Sequence, residues 1–342
     1  MVQFFDPQLI NGPFEDPGLY VDLVFQRRAL LFDLGDLSAL RPRKLMRLEH
    51  VFVSHRHMDH FIGFDQLLRC LLGRERTVGM WGGPGIIEAV EARTSAYVWN
   101  LIEGYDGNLV LCVGEVGQDG RIRMAQFSGA RRFRRVDLAS RECPDGILVA
   151  DPGFNVRAAF LEHGIPTLAF SLEERAHINI WRQRVEAHGL VVGPWLRGFK
   201  DAVVRGESDA TPIPVAWATD ARSRPAALPL GELKSQIMKV TKGRKIVYVV
   251  DAAFTPANIE VIVGLARGAD LLFIEAPFLD SESDRAAARQ HLTARQAGTL
   301  ARWAGVKQLR TFHYSPRYRD REASLEEEAR AAFYDRQAAA QR

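Results

Sequence analysis

Six residues, His55-Arg56-His57-Met58-Asp59-His60, place three imidazoles and a carboxylate directly behind the apolar run Val51-Phe52-Val53. Imidazole nitrogen and carboxylate oxygen are the donors that suit zinc and its first-row neighbours, so the segment reads as half of a metal site. A histidine-rich turn without a metal would gain nothing from crowding these groups beside an apolar strand, because unpaired polar groups are costly to bury. Val51 to Val53 is β-branched and aromatic, and a period of two sends His55 and His57 to the same side where the strand ends. Asp59 and His60 then open a helical pattern, Phe61, Phe64, Leu67, Leu68 and Leu71, that stops at Gly73.

The rest of the chain alternates short β-rich runs with amphipathic helices. Tyr20 to Phe25 and Ala29 to Phe32 predict a hairpin, Thr77 to Trp81 a further strand, and Pro84 the first turn of a helix through Ile86, Ile87, Val90 and Tyr97. Leu109 to Val113, Arg121 to Phe127, Phe154 to Leu161 and Thr167 to Ser171 extend the β material. In the second half, Ile246 to Val250, Leu271 to Ile274 and Leu309 to Phe312 read as strands. Between them, Thr255-Pro256 caps a helix ending near Gly268, and Thr293 to Ala304 is a helix stopped by Gly305. This order suits an α/β (α+β) chain of two β-rich halves with helices outside, an αββα sandwich. Glu173 to Pro212 has fewer strand signals and reads as an inserted arm within a domain spanning residues 1–320. Ser324-Leu325-Glu326-Glu327 resembles a capping box at the start of a charged, alanine-rich terminal helix within residues 321–342, a surface or interface element without chemistry.

Composition sets bounds on function. With 47% apolar and 25% charged residues, the 342-residue chain has the material for a large core and no signature of disorder. Met1 to Pro13 lacks a signal-peptide pattern, and no apolar stretch is long enough to span a bilayer, so a cytoplasmic location without membrane contact is expected. Cys70, Cys112 and Cys143 are far apart, which leaves oxygen and nitrogen donors to hold any metal. A net charge of +3 is too small by itself to argue for nucleic acid. Three local clusters are more suggestive: Arg41, Arg43, Lys44 and Arg47; Arg131, Arg132, Arg134 and Arg135; and Lys239, Lys242, Arg244 and Lys245. Each suits either RNA phosphates or a solvated face.

The opening segment resembles the His-x-His-x-Asp-His motif of the metallo-β-lactamase fold superfamily. Four later stretches narrow the resemblance to the ribonuclease Z branch, the tRNA 3′-end endonucleases and related zinc phosphodiesterases: Glu162 to Phe170, Ile246 to Asp251, Ala269 to Ala276, and Phe312 to Tyr318. They occur in the family's order and carry the similarity from about Tyr20 to about Tyr318. The resemblance implies that His55, His57 and His163 hold one metal and Asp59, His60 and His313 a second, with Asp251 bridging. It further implies that Asp59 also accepts a proton, that His291 serves the leaving 3′ oxygen, and that Glu275 orients His291. Asp33 looks like a group that orients a ligand histidine, and Arg317 suits either the scissile phosphate or a surface ion pair. Zinc is the expected metal, with Mn2+ or Fe2+ able to use the same ligands. A tRNA-gripping role for the arm and a homodimer are implied too. The chain departs from the family in the neighbours, writing Asn11-Gly12-Pro13, Val250-Asp251-Ala252 and His291-Leu292-Thr293 where the family writes a Gly-rich turn, Gly-Asp-Thr and His-Ser-Thr.

The leading expectation is therefore a two-metal endoribonuclease acting on pre-tRNA 3′ trailers. Two alternatives stand beside it: a hydrolase of a small phosphodiester or other ester, and a nucleic-acid-binding protein without catalysis.

Overall fold

A computed structural model of the protein describes residues 4–24, 26–175, 177–218 and 224–335. Eight strands, from Phe5–Leu9 to Arg135–Glu142, form one sheet in sequence order. The second sheet has six strands, ordered Leu309–Phe312, Leu271–Glu275, Lys245–Val249, Pro166–Glu174, Phe154–Glu162 and Ile147–Ala150. The hairpin forms between Leu19–Leu23 and Arg28–Phe32; Phe25, its expected end, lies outside the described residues.

Alternation along each strand explains the layering. In Leu48–Val53, Val51 and Val53 face a core built with Phe64, Leu67, Leu71, Ile86 and Val90, so the helices Phe64–Leu71 and Ile86–Ser95 cover that side. Phe52 faces the other way, where its ring stacks on Phe32 with centroids 4.9 Å apart and meets Phe170 of the second sheet at 5.7 Å. Tyr248 and Phe312 continue this aromatic seam. Val247, Val249, Leu272 and Ile274 pack outward against the helices Pro256–Ala266, Ala294–Trp303 and Glu322–Tyr334. Helix, sheet, sheet, helix is the resulting sandwich.

Caps behave as their chemistry dictates in two places and not in two others. Thr255 accepts from Asn258 N, and Thr293 with Gln296 forms a complete capping box. Pro84, however, precedes its helix, which starts at Ile86 behind a left-handed Gly85. The terminal helix starts at Glu322, directly after a 3-10 turn, so Ser324 lies inside it and caps nothing. Residues 336–342 of the expected terminal segment fall outside the described ones.

Two strands carry weak sequence signals. Phe5–Leu9 contains Pro7, tolerated because this is an edge strand. Arg135–Glu142, at the other edge, is exposed along most of its length and shows no apolar alternation.

A second compact unit comprises residues 150–155 and 173–244 and contains the stretch 173–212. It has its own apolar cluster around Val185, Phe199, Leu230, Leu233 and Ile237. Two small antiparallel pairs, His177–Ile180 with Met238–Thr241 and Pro212–Pro214 with Ala227–Pro229, complete it.

Candidate metal centre

The site residues leave the C-terminal ends of strands of both sheets. Leu48–Val53 delivers His55, His57, Asp59 and His60; Phe154–Glu162 delivers His163; Lys245–Val249 runs into Asp251; Glu275 ends its strand; and His313 follows Leu309–Phe312. Asp33, Asp251, Gln290 and His313 have positive φ angles of 62°, 48°, 58° and 58°. Left-handed backbone at non-glycine residues costs about 1 kcal/mol or more each, and the surrounding packing must impose it. At Asp251 and His313 the bend brings the side chains to one point.

That point is the Asp251 carboxylate, which is buried. Its Oδ2 lies 3.3 Å from His55 Nε2, 3.3 Å from His163 Nε2, 3.5 Å from His60 Nε2 and 4.0 Å from His57 Nδ1. Its Oδ1 lies 2.9 Å from His313 Nδ1. Asp59 Oδ2 sits 3.3 Å from both His60 Nε2 and His313 Nε2. The ligand atoms thus form one group of His55, His57, His163 and Asp251, and a second of Asp59, His60 and His313.

Hydrogen bonding decides which ring nitrogens face this point. His163 Nδ1 donates to the Gln290 carbonyl at 2.7 Å, and His60 Nδ1 donates to Asp33 Oδ2 at 2.9 Å. Ser54 Oγ donates to Asp33 Oδ2 at 2.9 Å and therefore accepts from His55 Nδ1 at 3.0 Å. With Nδ1 protonated, Nε2 keeps the lone pair that a metal needs. Burial holds His55 and His57 below the usual imidazole pKa, which also favours the neutral ligand. At His60 burial acts the same way, but Asp33 and Asp251 outweigh it and raise the pKa.

A pair of transition-metal ions fits these residues. His55 Nε2, His60 Nε2, Asp251 Oδ1 and His313 Nδ1 are buried and lack any hydrogen-bond partner, which is costly unless something binds them. The separations of 3.3–3.5 Å are long for hydrogen bonds. They match the edge of a tetrahedron with ligands ~2.1 Å from a central ion, about 3.4 Å.

Glu275, His291 and His313 also gather near Asp251, but Glu275 is occupied otherwise. Its Oε1 accepts from Ala252 N at 3.0 Å and Leu292 N at 3.1 Å, while Oε2 accepts from His291 Nδ1 at 2.8 Å. Burial alone would raise the pKa of Glu275, yet His291 prevails and lowers it. Burial would lower that of His291, and Glu275 raises it instead. Ala252 and Leu292 meet Glu275 through their backbone N–H groups, while their side chains are buried in the apolar core.

Arg317 is not brought to this cluster. It pairs with Glu282 at 3.1 Å on the surface. The basic runs are partly neutralised, Arg47 by Asp22 at 2.8 Å, Arg132 by Glu103 at 2.7 Å and Arg135 by Asp137 at 2.7 Å. Sequence reasoning passed over Ser54, Tyr248, Gln290 and Asn258. Tyr248 OH donates to Asp33 Oδ2 at 3.0 Å, and Asn258 ties the Glu162 backbone to Ala253, holding the chain on either side of His163 and Asp251. Only the β-pattern around Tyr248 and the cap at Thr255 hinted at either.

No protein-family model matches the chain. A curated relative, ribonuclease Z of Deinococcus radiodurans, is 29% identical over 95% of this chain and 93% of its own. The chain is thus similar to ribonuclease Z over almost its whole length. Among solved structures, human tRNase Z, short form, superposes with a TM-score of 0.50 at 19% identity, covering 92% of each chain. The metallo-β-lactamase fold protein YhfI from Bacillus subtilis gives 0.53 at 17% identity over 96% of this chain and 94% of its own. These two likenesses show the metallo-β-lactamase fold. A ribonuclease Z homologue on that fold, with its buried His/Asp site intact, is a hydrolase.

Proposed function

We propose that this ribonuclease Z homologue is a two-metal phosphodiesterase that cuts the 3′ trailers of pre-tRNA, with zinc as its metal. The observation that carries the reading is Asp251, whose two oxygens face both groups of imidazoles at once. His55, His57 and His163 would hold one ion and Asp59, His60 and His313 the other, with Asp251 common to both. Bound there, two such ions supply Lewis acidity, lowering the pKa of water at the site and offsetting charge on the attacking and leaving oxygens.

The remaining steps belong to side chains. His291, with Nδ1 held by Glu275, presents Nε2 as the proton donor to the leaving 3′ oxygen, and its raised pKa keeps that proton available. Burial would favour protonated Asp59, but His313 and His60 outweigh it and keep the carboxylate ionised. Ionised Asp59 can both ligate and take a proton from the attacking water.

For the RNA, the second unit offers cationic aromatic surface. Arg184 lies 3.7 Å from the Trp181 ring centroid with Lys239 at 5.8 Å, and Arg224 covers Trp217 at 4.6 Å. Such pairs suit stacked bases and phosphates, which supports a tRNA-gripping role for this unit. No helix among the described residues is long and apolar enough to cross a membrane.

Metal analysis coupled to cleavage of a pre-tRNA panel tests the reading. Trailer release by protein carrying close to two zinc equivalents is expected. Active protein with fewer than about one equivalent of transition metal overturns the two-metal account. Turnover of bis-p-nitrophenyl phosphate without any pre-tRNA cleavage overturns the RNA assignment.

A further inference from the structure

Beside His55 and His57 a cavity of about 340 Å³ opens into the first unit. Val53, Pro84, Ile86, Ile165 and Pro166 give it apolar walls, and His55 and His57 themselves line it. Arg56, between the two histidines in sequence, lines it too. The volume falls within the ~300–1,000 Å³ of small-molecule sites, although one cation among apolar walls demands a particular kind of ligand.

Arg56 is exposed, and among the described residues no carboxylate pairs with it. Its guanidinium lies against Gly85, where a Cβ would come within 2.5 Å of Nη2. Gly85 also has φ +87°, so this close approach is built into the backbone. The helix that starts at Ile86 adds no free donors, because Gly85 N and Ile87 N both point to Glu115 Oε2, at 2.9 and 3.4 Å. Arg56 is therefore the available cation of the cavity. Exposed and without a carboxylate partner, the guanidinium is free to meet an anion that enters the cavity. Its planar fork matches a phosphate.

We propose that this cavity receives one nucleotide of the strand adjoining the scissile bond, its base against Pro84, Ile165 and Pro166 and its flanking phosphate on Arg56. The proposal rests on the phosphodiesterase reading. A nucleic acid strand repeats a flat, largely apolar base and a phosphate, the two features this cavity answers beside the hydrolytic centre. Gly83 leaves the space open: a Cβ there would meet only Phe160 and Leu168, at 3.9 and 4.0 Å. A side chain added at this lining position starts without a close backbone contact at its Cβ.

Calorimetric titration of the full chain, metal-free and zinc-loaded, tests this with adenosine 5′-monophosphate, ribose 5-phosphate and the dinucleotide ApA. The wild type is expected to bind the mononucleotide about tenfold more tightly than ribose 5-phosphate, in both metal states. Arg56→Ala should weaken mononucleotide binding about tenfold through loss of a charge-assisted hydrogen bond, with Arg56→Lys intermediate. Gly83→Leu should remove the preference for the base. Equal binding of the two monophosphates by the wild type, or unchanged binding by Arg56→Ala, overturns the proposal; both hold even if Gly83→Leu fails to fold. Binding of the mononucleotide but not of ApA would exclude a strand. Hydrolysis of bis-p-nitrophenyl phosphate by the wild type is scored separately, so failure of the phosphodiesterase reading and failure of the cavity are told apart.

Discussion

The Tyr248 hydroxyl donates to Asp33 Oδ2 at 3.0 Å across 215 residues of sequence. Asp33 directly follows a strand of the first sheet and Tyr248 lies in the second, and both are fully buried. The same carboxylate takes the Ser54 amide, the Ser54 hydroxyl and His60 Nδ1. One aspartate thus fastens the two sheets and orients His60. Tyr248→Phe removes one of four donors and leaves the ring packing, so a loss of about 1–2 kcal/mol in chemical denaturation is expected. Unchanged stability would mean that the hydroxyl contributes nothing to sheet docking.

Ser54→Ala has a different signature. It deprives His55 Nδ1 of its acceptor and Asp33 of a donor. Metal affinity should fall ~10–100-fold, as for other groups that orient ligand histidines. Competition with a chromophoric chelator reads this directly, and Ser54→Thr should restore most of the affinity.

His291 and Asp251 separate chemistry from metal retention. His291→Ala should keep the bound metal while lowering kcat on a phosphodiester by ~10²–10⁴-fold, the usual contribution of a general acid. Asp251→Ala should lose metal as well as turnover. Atomic absorption alongside kinetics distinguishes them, and metal loss in His291→Ala would contradict its place outside the ligand set.

Chelation should lower the melting temperature, because a ligand bound only by the folded state stabilises it, by about 2.7 kcal/mol at a hundred times its Kd. Adding zinc back should restore the transition. A melting temperature indifferent to chelator would argue that the buried donors hold no ion.

Gly298→Ala tests the terminal helix. A Cβ at Gly298 would lie 2.1 Å from the Ala329 carbonyl oxygen, so Ala294–Trp303 and Glu322–Tyr334 must move apart. Overpacking of this kind costs about 1–3 kcal/mol. A thermal melt matching the wild type would show that the helix is not docked there.

The histidines and aspartates that gather at the site were legible because their types are rare in combination and stand at strand ends, where an apolar run gives way to polar residues. Leu309 to Phe312 was read with its true limits, and the strand carrying Tyr248 to within one residue, for the same reason. What holds the ligands was not legible. Ser54 looks like any strand-end serine, Gln290 acts through its carbonyl, and Asn258 reaches a segment 96 positions away. Such contacts depend on how the sheets dock, and no local pattern encodes them. Ala252 and Leu292 depart from the family's wording yet give their amides to Glu275, a contact that does not depend on the side chain, while both side chains pack in the apolar core.

The placing of ligands at strand ends across the whole chain bears on when the enzyme can work. During synthesis His313 follows His60 by about 250 residues, an interval of roughly 12–50 s at ~5–20 residues per second. Through that time the first histidines are made while their closing partner does not yet exist. Until then the nascent chain carries His55 to His60 without His313, so the full set of donors exists only once the strand Leu309–Phe312 and the residue after it have been made.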